Sequence, residues 1–188
     1  MLFVLSAPSG TGKTTVAQQV LSALKKIRQS ISVTTRPLRE GEKNGVDYTF
    51  VSLENFQDKK SAGGFLEWAE VHGFFYGTPR ELVEQNEKEG IDTLLVIDVQ
   101  GGLKIKKVCP EAVLIFLLPP SLEELEKRLS ERGTESEEMI QKRLKNAHQE
   151  MLVKDLYDYV IINEDLERAI SEVKKAIEKE RLRHPCAV

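Results

Sequence analysis

Ala7-Pro8-Ser9-Gly10-Thr11-Gly12-Lys13-Thr14, followed by Thr15, is the stretch whose reading decides the fold. It matches Gly-x-x-x-x-Gly-Lys-Ser/Thr, with Ala7 at the first position. The pattern works through backbone geometry. Glycines let successive N–H groups turn inward and cradle phosphate oxygens, and the helix that opens there adds the positive end of its dipole. The stretch therefore implies a bound nucleoside triphosphate. Lys13 is expected to reach the β and γ phosphates and the Thr14 hydroxyl to ligate Mg²⁺. With Gly10 and Gly12 in place, the cradle forms provided that Ala7 takes a negative φ.

Such a loop has meaning only between a strand and a helix, and both are legible. Leu2–Ser6 is a short apolar run that reads as a buried parallel strand. Beyond Lys13, the residues Val16, Val20, Leu24 and Ile27 recur at helical spacing. Further apolar runs follow at Thr93–Val99, ending in a Gln-Gly-Gly turn, at Ala112–Leu118, stopped by Pro119-Pro120, and at Tyr159–Ile162. Ile31–Thr34 is a shorter, more polar fifth. Helical patterns lie between them. Leu122, Leu125 and Leu129 share one face, Ile140, Leu144, Ala147 and Met151 another, and Leu166, Ile170, Val173 and Ile177 a third. Alternating strands and helices predict an α/β fold whose parallel core sheet is flanked by helices on both faces.

Two segments break this rhythm. From about residue 36 to 76 the chain holds Gly41, Gly45, Gly63, Gly64 and Gly73, with β-like pieces at Tyr48–Val51 and Phe65–Val71. It reads as a small insertion. Residues 121–151 are highly charged and helical, with Gly133 between two helices, and suit a mobile lid. Ser121 precedes Glu124 at a helix-capping spacing, and Ser136, followed by Glu137 and Glu138, is a second candidate cap.

The chain's 188 residues suit one domain with a full core. Its net charge of -3, from 27 basic and 30 acidic residues, argues against nucleic acid as a partner. Cys109 and Cys186 have no paired spacing, so neither a disulfide framework nor a zinc site is expected. The apolar start is too short for a signal peptide and lacks a basic lead. No run approaches the roughly 18 apolar residues of a membrane span. These readings point to the cytoplasm, with no membrane partner. Self-association is left open.

Asp98 ends the Thr93–Val99 run, where a carboxylate faces the ligand crevice of a parallel sheet. There it would hold Mg²⁺ through water or bind substrate. Asp98-Val99-Gln100-Gly101 also matches, weakly, the D-x-x-G of switch GTPases. Arg36, Arg39, Arg128, Arg132 and Arg143 are the cations of interest, because a planar guanidinium fork suits phosphate.

Taken together the motifs resemble guanylate kinase, of bacterial type, over nearly the whole chain. The likeness rests on S-A-P-S-G-T-G-K-T, on S-I-S-V-T-T-R-P-L-R-E-G-E-K-N-G-V-D-Y-T-F and on F-L-E-W-A-E-V-H-G-F-F-Y-G-T. It continues through I-D-V-Q-G, R-L-S-E-R-G-T-E and V-I-I-N. The resemblance implies a P-loop NTPase fold with a core at 1–31, 79–120 and 152–188. It adds a small nucleoside-monophosphate-binding insertion at 32–78 and a helical lid at 121–151. It implies transfer of the ATP γ-phosphoryl group to GMP with Mg²⁺, giving GDP and ADP, with dGMP as a further acceptor. Under it Arg36, Arg39, Tyr48 and Tyr76 grip the GMP phosphate, and Ser32, Glu67, Thr78 and Asp98 recognise guanine. Arg132 and Arg143 close over the transferring group with Lys13, Arg128 assists, and Asn163 lies near the adenine.

The residue types fit that chemistry. Guanine presents N1–H and N2–H₂ as adjacent donors, which a carboxylate such as Glu67 accepts together. Adenine would leave that carboxylate unpaired, at a cost. The sequence departs from the family at Ala7 and at Val96, where many members carry Asp or Glu. Three rival readings would carry sequence signatures of their own. A catalytically dead scaffold domain would lack the loop, and a sugar-phosphate kinase would lack Glu67 and Tyr76. A GTPase would need an N-K-x-D motif, which is absent.

Overall fold

A computed structural model describes residues 1–71, 73–131 and 137–183. Its centre is a parallel sheet of β1 (Leu2–Ser6), β2 (Ile27–Ser30), β7 (Asp92–Ile97), β8 (Val113–Leu118) and β9 (Tyr159–Ile162), in the order β2-β7-β1-β8-β9. Alternation along β1 explains the two layers around it. Phe3 and Leu5 point to one face, where α1 (Lys13–Ala23) and α7 (Leu166–Arg183) bury Val16, Val20, Val173 and Ile177. Val4 points to the other, where α4 (Val99–Val108) buries Ile105 against Leu95, Leu114 and Phe116. β8 is buried at every residue, as a strand covered on both faces must be.

The insertion forms its own four-stranded sheet in the order β4-β3-β6-β5. Its strands are β3 (Val33–Thr34), β4 (Thr49–Phe50), β5 (Phe65–Val71) and β6 (Phe74–Pro79). α2 (Leu53–Ser61) closes one side through Phe56, whose ring stacks on Phe65 at 4.6 Å. α3 (Arg80–Lys88) leads back to the core. Beyond β8, α5 (Leu122–Ser130) and α6 (Glu137–Met151) pack on each other through Leu125, Leu129, Ile140, Leu144 and Ala147. Ser121 caps α5 by accepting the Glu124 N–H at 3.1 Å, as its spacing predicts. Gly133 and Ser136 lie outside the described residues.

Three expectations are corrected. The helix after the loop ends at Ala23, and Ile27 opens strand β2. Lys26, at φ 57°, breaks the helical period between them. The fifth core strand is therefore Ile27–Ser30, while Val33–Thr34 belongs to the small sheet. Gln100, Gly101 and Gly102 are the first turn of α4 and not a loop. Gly102 is there for close packing: a Cβ on it would stand 2.6 Å from the Tyr157 hydroxyl and 2.8 Å from Ser6 Oγ.

Candidate nucleotide site

The loop between β1 and α1 has the backbone its sequence requires. Gly10 and Gly12 both sit at φ 93°, a conformation that glycine adopts without strain. Ala7 keeps a negative φ, which meets the condition set by its side chain. The Thr11 N–H closes a turn on the Pro8 carbonyl at 3.2 Å. Thr11 is fully buried, and its hydroxyl has no hydrogen-bond partner among the described residues. Asn163, at the end of β9, fastens the loop from beneath, donating to the Thr11 carbonyl at 2.7 Å. Thr14 and Thr15 are exposed on the first turn of α1.

Two partners approach the loop from the 121–151 segment. Arg143 Nη1 donates to Ser9 Oγ at 3.2 Å. Arg128 reaches the Asn163 carbonyl at 3.3 Å while bonded to Glu124 at 3.1 Å. Leu125 and Leu129 leave no room for a Cβ on Gly10. Arg132 lies outside the described residues.

Lys13 points across the sheet end and donates to the Ile97 carbonyl at 2.6 Å. Burial pulls its ammonium below its ordinary range, against the opposing charges of Asp98 and Glu150. Asp98 caps α4, accepting the Gly101 N–H at 2.8 Å. Glu67 reaches the same turn from β5. A Cβ on Gly101 would lie 3.5 Å from Glu67 Oε2 and 3.6 Å from Asp98 Oδ1. Glu67 is buried and accepts a hydrogen bond from the Thr78 hydroxyl at 2.8 Å. Burial pushes its carboxyl up, Thr78 opposes this, the Asp98 charge adds to it, and Lys104 opposes it.

A second cluster occupies the small sheet. Arg36 is buried, with its guanidinium carbon 5.5 Å from the ring centroids of both Tyr48 and Phe50. Tyr48 and Tyr76 meet edge to face at 5.9 Å. Ser32 is buried just ahead of β3, its carbonyl accepting the Thr49 N–H at 2.9 Å. Arg39 is exposed; its backbone N–H bonds Glu42, and its charge acts on Glu42 and Tyr48.

Four residues of these clusters escaped the sequence reading. Glu42 holds both arginines, bonding Arg36 Nη2 at 2.7 Å and the Arg39 N–H at 2.9 Å. The Arg36 hydrogen bond keeps its carboxyl below the usual range. Its position three residues after Arg39 was the available signal. Glu150, near the end of α6, faces Lys13 and Asp98. Burial and then the Asp98 charge push it up to about 7, and Lys13 only partly offsets them. Tyr157 donates to the Val99 carbonyl at 3.2 Å, and Ser6 to the Asp98 carbonyl at 3.2 Å. Neither carried a signal, because their partners are backbone atoms distant in sequence.

The comparisons with known proteins agree in one direction. The family model described as Guanylate kinase matches residues 1–180. The chain belongs to the guanylate kinase family. A guanylate kinase of Syntrophotalea carbinolica is 50% identical over 94% of this chain and 84% of its own length. One of Caldanaerobacter subterraneus is 47% identical over 97% of this chain and 89% of its own. The crystal structure of guanylate kinase from Anaplasma phagocytophilum superposes with a TM-score of 0.80 at 42% identity, covering 96% of this chain and 85% of that one. Family membership excludes the switch-GTPase reading of Asp98-Val99-Gln100-Gly101. Among the described residues no helix is long and apolar enough to cross a membrane.

Proposed function

We propose that this chain, an ATP:GMP phosphotransferase by family, performs the transfer around the first turn of α4, with Mg²⁺ and under a closing 121–151 segment. The observation that carries the reading is the convergence there. Lys13 of the phosphate loop bonds the Ile97 carbonyl, and Glu67 of the insertion flanks Gly101 with Asp98. Donor and acceptor halves thus meet within residues 97–101.

On this reading Ala7–Thr15 cradle the ATP phosphates, and Asn163 and Arg128 border the adenine side. Arg36, Arg39, Tyr48 and Tyr76 take the GMP phosphate, displacing or sharing the Glu42 contact. Glu67 accepts from guanine N1–H and N2–H₂ while Ser32, Thr78 and Asp98 complete the base pocket. Guanine's donors supply what burial denies the Glu67 carboxylate, so base binding and its ionisation favour each other. Phosphoryl transfer needs positioning and charge neutralisation and no covalent intermediate. Lys13, Arg143 and Arg132 neutralise charge on the transferring group. Closure of 121–151 over the core formed by 1–31, 79–120 and 152–188 excludes water that would hydrolyse ATP. The acceptor segment is 32–78, and dGMP is a further acceptor.

The donor set fits Mg²⁺. Thr14 offers an exposed hydroxyl oxygen, a hard donor suited to this ion. Val96 packs against the apolar core and offers none. When bound, the ion would be held by Thr14 and would supply charge neutralisation at the phosphates. The cytoplasm is the compartment where these substrates meet the chain.

Glu67→Gln tests the acceptor half. It is expected to raise KM for GMP by about 10²-fold while KM for ATP changes by less than about 3-fold. Equal effects on both substrates would remove Glu67 from base reading.

A further inference from the structure

Glu67 sits at an irregularity in its strand's ladder. The ladder between β5 and β6 slips at this point: Phe65 faces Pro79, but Glu67 faces Thr78, two steps along one strand for one along the other. A bulge re-aims side chains but gives up ladder hydrogen bonds where it occurs. A carboxylate that discriminates bases needs its backbone fixed to a fraction of an ångström. Something other than the ladder has to supply that.

The next residue is Trp68, the chain's single tryptophan, turned outward and 38% exposed. Two lysines fasten it from different elements. Lys104 of α4 donates to the Trp68 carbonyl at 2.7 Å, with its ammonium 5.7 Å from the indole centroid. Lys60 of α2 lies 3.6 Å from the same ring centroid. On α4, Lys104 follows Gly101 by three residues and shares its face. α4 therefore touches β5 at two points: Gly101 beside the Glu67 carboxylate, and Lys104 on the peptide that follows it. The Lys104 charge also opposes, in part, the Asp98 charge at Glu67.

We propose that Lys104 is a positioning residue for acceptor recognition: by bonding the Trp68 carbonyl it pins the bulged strand of the acceptor segment to the core helix and sets Glu67 for guanine. The proposal rests on Glu67 reading the base. It assigns Lys104 no contact with substrate. It also explains the exposed Trp68, a clamp surface between Lys60 and Lys104.

The test compares Lys104→Met and Lys104→Arg with the parent in steady-state assays on GMP, IMP and ATP. IMP lacks the 2-amino group, so it reports how well Glu67 is placed. Loss of one charge-assisted hydrogen bond predicts that Lys104→Met raises KM for GMP about 5-fold. It also narrows the preference for GMP over IMP by a similar factor, and kcat and KM for ATP stay within about 2-fold. Lys104→Arg, which keeps a charged donor, restores the parent values. An unchanged KM for GMP in Lys104→Met overturns the proposal, as does a parallel rise for GMP and ATP. Glu67→Gln, assayed beside them, separates the two failures. If it impairs GMP use and Lys104→Met does not, only the Lys104 role falls; if neither does, the base-reading assignment falls first.

Discussion

At the scale of single residues, the site is governed by charges that burial makes expensive. Lys13 has two carboxylates for company, Asp98 and Glu150, and all three sit at the carboxyl end of the core strands. Glu150 loses most. Its carboxyl rises from an ordinary 4.5 to about 7, first through burial and then through the Asp98 charge. A folded-state value above the unfolded one means the folded protein binds the proton more tightly. The associated stability is fully present below pH 4.5 and is lost as pH climbs through about 7. Glu150→Gln removes that dependence. Relative to the parent, its stability is expected to improve between pH 5 and pH 8 by about 1–2 kcal/mol, after allowance for the group's partial exposure. Urea midpoints at the two pH values check it; an identical difference at both would contradict the assignment.

At the scale of elements, what the sequence disclosed was set by contrast. Leu2–Ser6 and Tyr159–Ile162 were legible to the residue because the glycine loop follows the first closely and Asp158 and Asn163 bound the second. The α1 boundary was not, because Leu24 and Ile27 happen to continue its period, although Ile27 belongs to the neighbouring strand. α2 and α3 escaped notice because each buries a single residue, Phe56 and Asn86, and so carries little apolar pattern. The glycines of α4 read as a turn since propensity is local, whereas their reason is the approach of Tyr157 and Ser6 from elsewhere in the chain. The phosphate loop was legible from its own motif and Asp98 from its place at a strand's end, whereas Glu67 was named only through the family resemblance. Glu42 and Glu150 were not legible, because their partners depend on packing. Gly102→Ala tests the close-packing account. A Cβ 2.6 Å from the Tyr157 hydroxyl forces α4 outward, at an expected cost of about 1–3 kcal/mol with reduced activity. An unfolding midpoint equal to the parent's would refute it.

At the scale of the whole molecule, the fold is a two-sided machine. On the proposed reading the core sheet and its loop hold the donor and the small sheet the acceptor; α4 packs on the core sheet through Ile105, and its Gly101 borders Glu67 of β5. The ion proposed at Thr14 belongs to the donor side alone. Chelation with EDTA is therefore expected to abolish turnover while GMP binding, measured by calorimetry, persists; loss of both would place the metal in the acceptor half. The coupling of an ATP-binding loop to a guanine-reading pocket in one chain is the proposal on which the other assignments depend. It is tested most directly by a coupled assay with ATP and Mg²⁺ and four acceptors in parallel: GMP, AMP, CMP and UMP. Rapid turnover is expected on GMP, with kcat/KM at least about 10³-fold lower on the other three. Comparable rates on all four, or none on GMP, would contradict it.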